Sequence, residues 1–383
     1  MPKPVRIAMV AGEASGDLLA AHLIAALRRH LPEAEFFGIG GPKMEAAGFD
    51  ALWPAEKLAV NGFVEVLRHY RELSAIRRQL LRRLRHEPPD VFIGVDAPDF
   101  NLWLERRLKQ RGIPAVHFVG PSIWAWRGGR IHKIARSVSR ILALFPFEPP
   151  LYEAHQIPVS YVGHPLADLI PLQPDHAAIR ERLQLRADQT VFALLPGSRL
   201  SEVRQLATVY IRTARLLLAR FPNAVFLVPL LSRATRSLFE AALWREGAQE
   251  MPMRLMFANA HSALAACDCA LVASGTATLE AALFKAPHVI AYRVAPLSWQ
   301  LMKRLRYQPW VGLPNILAGR FIVPEFLQDE ATPENLAQAV GNLTLDVEVR
   351  QRLRAAFLSI HEQLRHGTAE QAAAALLPYL AAT

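Results

Sequence analysis

Residues 269–280 read Cys269-Ala-Leu-Val-Ala-Ser-Gly-Thr-Ala-Thr-Leu-Glu280, and this stretch decides the fold. Cys269–Ala273 is a short apolar run, the composition of a strand buried on both faces. Ser274-Gly-Thr276 breaks it. Gly275 lets the backbone turn sharply and approach a ligand closely. Residues 277–284 have the composition of a helix, with Ser274 or Thr276 as its cap. A helix start offers unpaired N–H groups and the positive end of a dipole, which suits a phosphate. Glu280 falls about one turn further on, within reach of a ribose whose phosphates sit at the helix start. An ordinary corner with a surface Glu gives the same pattern, so the stretch fixes a strand–turn–helix unit and leaves its use open.

The same unit recurs through the second half. Residues 190–195 form an apolar strand, Pro196-Gly-Ser-Arg199 is its turn, and a long helix follows with Val203, Leu206, Tyr210 and Leu217 as apolar positions. Arg199 then projects from a strand end, where its planar fork matches two oxygens of a diphosphate. Further strands are expected over 224–229, 254–257 and 287–292. Gly312-Leu-Pro-Asn315 is a loop, and the chain is helical from Pro333 to its Ala-rich end.

The first half repeats the scheme. Residues 5–10 are a strand, Ala11-Gly-Glu-Ala-Ser-Gly-Asp17 a turn, and the next helix carries Leu19, Leu23 and Leu27 on one face. Ligands gather at such turns, beyond the carboxyl ends of parallel strands. That makes Glu13 and Ser15 candidates, although a capping Ser and a solvated Glu look the same. Residues 35–39 are a strand closed by Gly38-Ile-Gly-Gly41, which is loop punctuation rather than a dinucleotide fingerprint. Residues 90–95 form a strand ending in Asp96-Ala-Pro-Asp-Phe-Asn101. Asp99 is the natural N-cap of the helix that follows. Asp96 stands at the strand's carboxyl end, either as a general base or as a hydrogen-bonded turn residue. Beyond the strand at 113–119, the tryptophans of Gly120-Pro-Ser-Ile-Trp-Ala-Trp126 line a pocket or pin their loop.

The charge balance is lopsided. Lys plus Arg number 44 against 34 Asp plus Glu, a net +10 over 383 residues, which favours an anionic partner. Much of the excess lies in 64–87, where Leu73, Ile76, Leu80 and Leu84 make one helical stripe among Arg68, Arg71, Arg77, Arg78, Arg82, Arg83 and Arg85. A core helix with a basic rim and a surface for anionic lipid both fit, with Val60, Phe63, Val64 and Leu67 as an apolar wedge. No nucleic-acid recognition motif accompanies the charge. Hydrophobic residues make up 52%, so the chain is globular. No apolar run spans a bilayer, and no signal peptide precedes the first strand. Cys267 and Cys269 read as buried thiols. No His and Cys cluster has metal-ligand spacing.

Alternating strands and helices with two families of strand-end turns predict two doubly wound α/β domains facing each other across a cleft. This arrangement resembles glycosyltransferases of the two-Rossmann-domain (GT-B) fold. The resemblance narrows to one family, the lipid-A-disaccharide synthases. It is carried by Ala11-Gly-Glu-Ala-Ser-Gly-Asp17, Asp96-Ala-Pro-Asp-Phe-Asn101, Pro121-Ser-Ile-Trp-Ala-Trp126, Tyr161-Val-Gly-His-Pro165, Leu195-Pro-Gly-Ser-Arg199, Ser274-Gly-Thr-Ala-Thr-Leu-Glu280 and Leu313-Pro-Asn315. Ser-Gly-Thr with a following Glu is widespread in the fold. Pro-Ser-Ile-Trp-Ala-Trp and Asp-Ala-Pro-Asp-Phe-Asn are far more specific.

The resemblance implies an acceptor-binding domain over 1–167 and a UDP-sugar-binding domain over 168–345. It also implies helices over 346–383, the last crossing back onto the first domain. The donor would be UDP-2,3-diacylglucosamine and the acceptor 2,3-diacylglucosamine 1-phosphate, joined β-1,6 with inversion and release of UDP. No cofactor and no catalytic metal are implied. Work at the cytoplasmic face of the inner membrane is, and so is a homodimer. By the same carry-over Asp96 is the base. Ser198, Arg199, Ser274, Gly275, Thr276, Thr278, Glu280 and Asn315 hold the nucleotide sugar, and Glu13, Ser15 and Gly16 line the acceptor side. Another UDP-sugar glycosyltransferase, or an epimerase of the same fold, is the alternative.

Overall fold

The computed structural model describes residues 4–58, 63–125, 128–294, 299 and 309–380. The chain forms two compact units, one from residues 1–168 with 364–383 and the other from 169–363. In the first, seven strands make a wholly parallel sheet: β1 (Arg6–Ala11), β2 (Glu35–Gly40), β3 (Phe49–Pro54), β4 (Val91–Val95), β5 (Ala115–Phe118), β6 (Arg140–Ala143) and β7 (Val159–Tyr161). Their order is β3-β2-β1-β4-β5-β6-β7. The chain thus winds outward one way from β1 and the other way from β4, and the reversal point lies between them.

β1 shows how the sequence builds this layer. Ile7, Met9 and Ala11 join an apolar cluster on one face of the sheet, and Ala8 and Val10 join another on the opposite face. That is the two-residue alternation of a strand covered on both sides. The first cluster takes in Leu23 and Leu27 of the helix Ala14–His30, with Ala372, Ala373 and Leu376 of the last helix, Thr368–Leu380. The last helix therefore returns to the first unit. It is fastened there where Asp168 accepts from the Gly367 and Thr368 amides at 2.8 and 2.6 Å.

The second cluster includes Ile76, Leu80 and Leu84 of the helix Phe63–His86, while Arg71, Arg78, Arg82, Arg83 and Arg85 are exposed. The predicted stripe is therefore a core face with a basic rim. Val60, and the side chains of Phe63, Val64, Leu67 and Arg68, lie outside what the structure describes. Among the described residues no helix is long and apolar enough to cross a membrane.

The second unit carries β8 (Val191–Leu195), β9 (Val225–Leu230), β10 (Met253–Phe257), β11 (Cys269–Ala273), β12 (His288–Tyr292) and β13 (Glu325–Leu327). These are again all parallel, in the order β10-β9-β8-β11-β12-β13. The reversal here lies between β8 and β11. Cys267 and Cys269 are buried free thiols, as read from the sequence.

Candidate active site

In doubly wound sheets, ligands bind beyond the carboxyl ends of the strands at the reversal point. Both reversal points fall beside turns marked in the sequence. In the second unit the turn after β8 brings Ser198 and Arg199, and the turn after β11 brings Ser274, Gly275 and Thr276. Together with Glu202 and Glu280 they line a pocket of about 380 Å³ whose far wall is Leu230, Leu231, Ala258 and Ala260.

Each turn has a local cause. Gly197 sits at φ +114° and Gly275 at φ +119°, conformations that side chains rarely adopt. A Cβ at Gly197 would also lie 2.4 Å from the Glu202 carboxylate. That carboxylate accepts from the Ser198 and Arg199 amides at 3.0 and 3.2 Å, which fixes the loop. The Arg199 side chain is left 74% exposed, paired among the described residues with Glu202 Oε1 at 3.5 Å. Such an exposed pair contributes at most about 1 kcal/mol, so the guanidinium is free to turn to a diphosphate.

The helix Thr276–Leu283 begins at Gly275, and no side chain caps it. The expected Ser or Thr cap is thereby corrected. The Ser274 hydroxyl instead donates to Val311 O and the Thr278 amide to Gly275 O at 3.1 Å, so the Thr276 and Ala277 amides are the ones placed to meet a ligand at this helix start. Glu280 lies further along, 20% exposed, with its Oε2 3.6 Å from His261 Nε2. Hydrogen bonding to Glu280 raises the His261 pKa above its ordinary value.

Thr278 and Asn315 are placed differently. Both are fully buried and neither lines the pocket. The Thr278 hydroxyl donates to Gly275 O at 2.8 Å and accepts from the Leu313 amide at 3.3 Å. The Asn315 amide donates to Val323 O (2.9 Å) and Glu325 Oε1 (2.7 Å), and accepts from the Ile322 and Val323 amides at 2.8 Å each. Glu325 in turn accepts from the Val311 and Gly312 amides at 2.9 Å each. Both side chains therefore brace the backbone that faces the Ser274–Thr276 turn. Their polar side-chain groups are bonded within the protein.

In the first unit Glu13 takes the N-cap position of the helix Ala14–His30 after β1 and Ser15 lies in its first turn, both exposed, and the end of β4 carries Asp96, partly exposed. Ala11 pairs with Val95, so these strand ends are neighbours. Gly16 is buried, where a Cβ would meet Val95 O at 3.7 Å; it packs the helix onto the strand end. Asp96 and Ala97 take left-handed φ values of +52° and +43°, each costing about 1–3 kcal/mol for a non-glycine residue. The Asp96 amide donates to Phe118 O at 2.8 Å. Asp99 is not the N-cap, a place Ala97 takes. It is exposed and pairs with Arg130. Trp124 meets Phe147 and Phe145 edge-on at 5.1 and 6.1 Å, which pins its loop; Trp126 lies outside the described residues.

Several contributors carry no sequence signal of their own. Asp17 caps the helix Pro42–Ala46 by accepting from the Gly41, Lys43 and Met44 amides. Buried Glu148 accepts from the Leu144 and Phe145 amides, and burial pushes its pKa up to about 8. Among the described residues no three His, Cys, Asp or Glu side chains converge as metal ligands would.

The family model for lipid-A-disaccharide synthetase matches residues 7–376. The chain belongs to the lipid-A-disaccharide synthase family. It is 63% identical to the lipid-A-disaccharide synthase of Aromatoleum aromaticum, over 98% of this chain and 96% of that one. It is 60% identical to that of Azoarcus sp., over 99% and 97%. Like other members it is a hexosyltransferase that forms the lipid A disaccharide. Solved structures share the two-domain GT-B fold at low identity. A Staphylococcus aureus MnaA–UDP structure has a TM-score of 0.67 at 13% identity, covering 98% of this chain and 96% of that one. A Neisseria meningitidis UDP-GlcNAc 2-epimerase bound to UDP-GlcNAc has 0.66 at 12%, covering 99% and 100%. The glycosyltransferase of kitacinnamycin has 0.62 at 19%, covering 99% and 100%.

Proposed function

We propose that the chain transfers 2,3-diacylglucosamine from its UDP ester to the 6-hydroxyl of 2,3-diacylglucosamine 1-phosphate. The observation that carries this reading is the pocket between the β8 and β11 turns, in a chain that matches the family over nearly its whole length. Arg199 and the amides at Ser274–Thr276 take the diphosphate. Glu280 takes the ribose hydroxyls. Glu13 and Ser15 face the acceptor. Asp96 receives the proton of the acceptor 6-hydroxyl as that oxygen bonds to the anomeric carbon. The bond from that carbon to the diphosphate breaks, and UDP leaves with the electron pair. Its charge is met by Arg199 and the helix start. Residues 1–167 thus serve the acceptor and 168–345 the donor.

Product mass tests this reading against an epimerase. Both substrates, incubated with the protein and a chelator, are expected to give the mass of donor plus acceptor less UDP. A rearranged UDP-sugar with untouched acceptor contradicts it.

Both substrates carry acyl chains, so we place the enzyme on an anionic membrane surface through the basic helix Phe63–His86. Binding to phosphatidylglycerol vesicles is expected to fall steeply as salt rises, because exposed charges are screened beyond about 10 Å at 0.1 M. Phe63→Ser with Leu67→Ser is expected to weaken that binding at least tenfold in a sedimentation assay. Unaltered binding removes this segment as the wedge.

A further inference from the structure

Under the end of β4 lie three polar side chains that the transfer does not use. Glu105 and His117 are fully buried, with His117 Nδ1 2.7 Å from Glu105 Oε1. Gly94 makes the room, since a Cβ there would stand 2.2 Å from Glu105 Oε1 and 2.8 Å from Asn101 Cβ. Asn101, one helical turn before Glu105, is fully buried too. Its amide nitrogen donates to Asp96 O at 2.8 Å, and more weakly to Val10 O and Val95 O at 3.4 and 3.5 Å. Three carbonyls fix which way that amide faces. Asn101 Oδ1, Glu105 Oε2 and His117 Nε2 find no hydrogen-bond partner among the described residues.

Stability does not account for this cluster. Well-packed apolar side chains usually serve a core as well as a buried ion pair does, or better. Its position does account for it. Gly94 is two residues before Asp96 on the same strand, and His117 pairs with Gly94 across the ladder. The strained turn at Asp96 and Ala97 begins where the cluster ends. Strain of that kind persists only where the surroundings over-determine it. Asp96 is gripped on both sides, at its amide by β5 and at its carbonyl by Asn101.

We propose that Asn101, Glu105 and His117 are positioning residues of the transfer, a sealed polar seat that fixes the left-handed turn at Asp96 and so the direction of its carboxylate. The proposal rests on Asp96 as the base. Burial and the pairing pull against each other in the His–Glu pair. Burial raises the Glu105 pKa above the ordinary carboxyl range. Burial opposes charge on His117, but the charge and hydrogen bond of Glu105, with a push from Asp96, outweigh it and raise the His117 pKa.

A double-mutant cycle tests the seat. Asn101→Ala is expected to lower kcat roughly thirtyfold or more in the wild-type background, with KM for both substrates within about threefold. In the Asp96→Asn background the same change is expected to alter the residual rate less than about twofold, because there is no base left to aim. Should Asn101→Ala not fold, Glu105→Leu with His117→Phe replaces the pair by apolar packing. That double variant is expected to keep the fold and lose at least tenfold in kcat. Equal factors in both backgrounds, or an unchanged kcat, overturn the proposal and leave Asp96 in place. Near-normal turnover of Asp96→Asn alone removes the base, and the seat with it.

Discussion

Asp96→Asn is expected to lower kcat by roughly a hundred- to ten-thousandfold, the range a positioned general base supplies, while UDP binds with its wild-type affinity. Asparagine is the informative replacement. It matches aspartate in shape, and it tolerates the left-handed backbone found at φ +52°. The turn, its bond to Phe118 O and its bond from Asn101 therefore survive. What is lost is the charge that accepts a proton. The pocket proposed for UDP is lined wholly by residues of the second unit, so calorimetric titration with UDP is expected to give the same affinity as the unaltered protein. Near-normal turnover removes Asp96 as base. Lost UDP binding shows damage beyond the carboxylate.

Arg199→Ala is expected to lower kcat/KM for the donor by roughly a hundred- to a thousandfold, the scale of removing one donor from a developing negative charge. Its side chain is 74% exposed, so the thermal midpoint is expected to stay near that of the unaltered protein, a surface change being worth within about 0.5 kcal/mol. The loop also keeps its form, since Glu202 still binds the Ser198 amide and the amide at 199. Arg199→Lys keeps the charge without the fork and is expected to recover part of the loss. Steady-state rates against donor concentration measure both variants. Unchanged donor kinetics in Arg199→Ala give the diphosphate to another group.

The strands that set the fold were legible because parallel strands buried on both faces are continuous apolar runs. β1, β4, β8 and β11 all announce themselves in this way, and their turns carry Gly or Asp where the backbone must bend. β3 and β13 escaped. β3 is an edge strand ending in Pro54 with half-exposed residues, and β13 has three residues, too few for a period to register. The tail reads as helical from Pro333 to the end, and it divides at Asp346 and again at Gly367 into the helices Pro333–Leu345, Val347–Leu364 and Thr368–Leu380. The breaks have local causes: the Asp346 carboxylate accepts from the Val349 amide at 2.9 Å, and Gly367 turns at φ +68°.

In the site, Arg199, Ser274, Thr276 and Glu280 were marked by standing just past strand ends. Asn315 and Thr278 came with the family motifs, and a sequence does not show the internal bonds their side chains make. Glu202, Glu325, His261, Glu105 and His117 carried no local signal at all. Their roles come from partners on other elements, such as the His117–Glu105 pair between β5 and the helix Pro98–Lys109.

One carboxylate acting as base, with no covalent intermediate, demands that the anomeric centre invert in a single displacement. The anomeric configuration of the new bond, read by NMR on disaccharide made from the α-linked UDP donor, tests this most directly. A β-linkage with one UDP released per bond is expected. An α-linkage would mean retention, by two successive displacements or by a front-side one, and would contradict Asp96 as a base driving direct inversion.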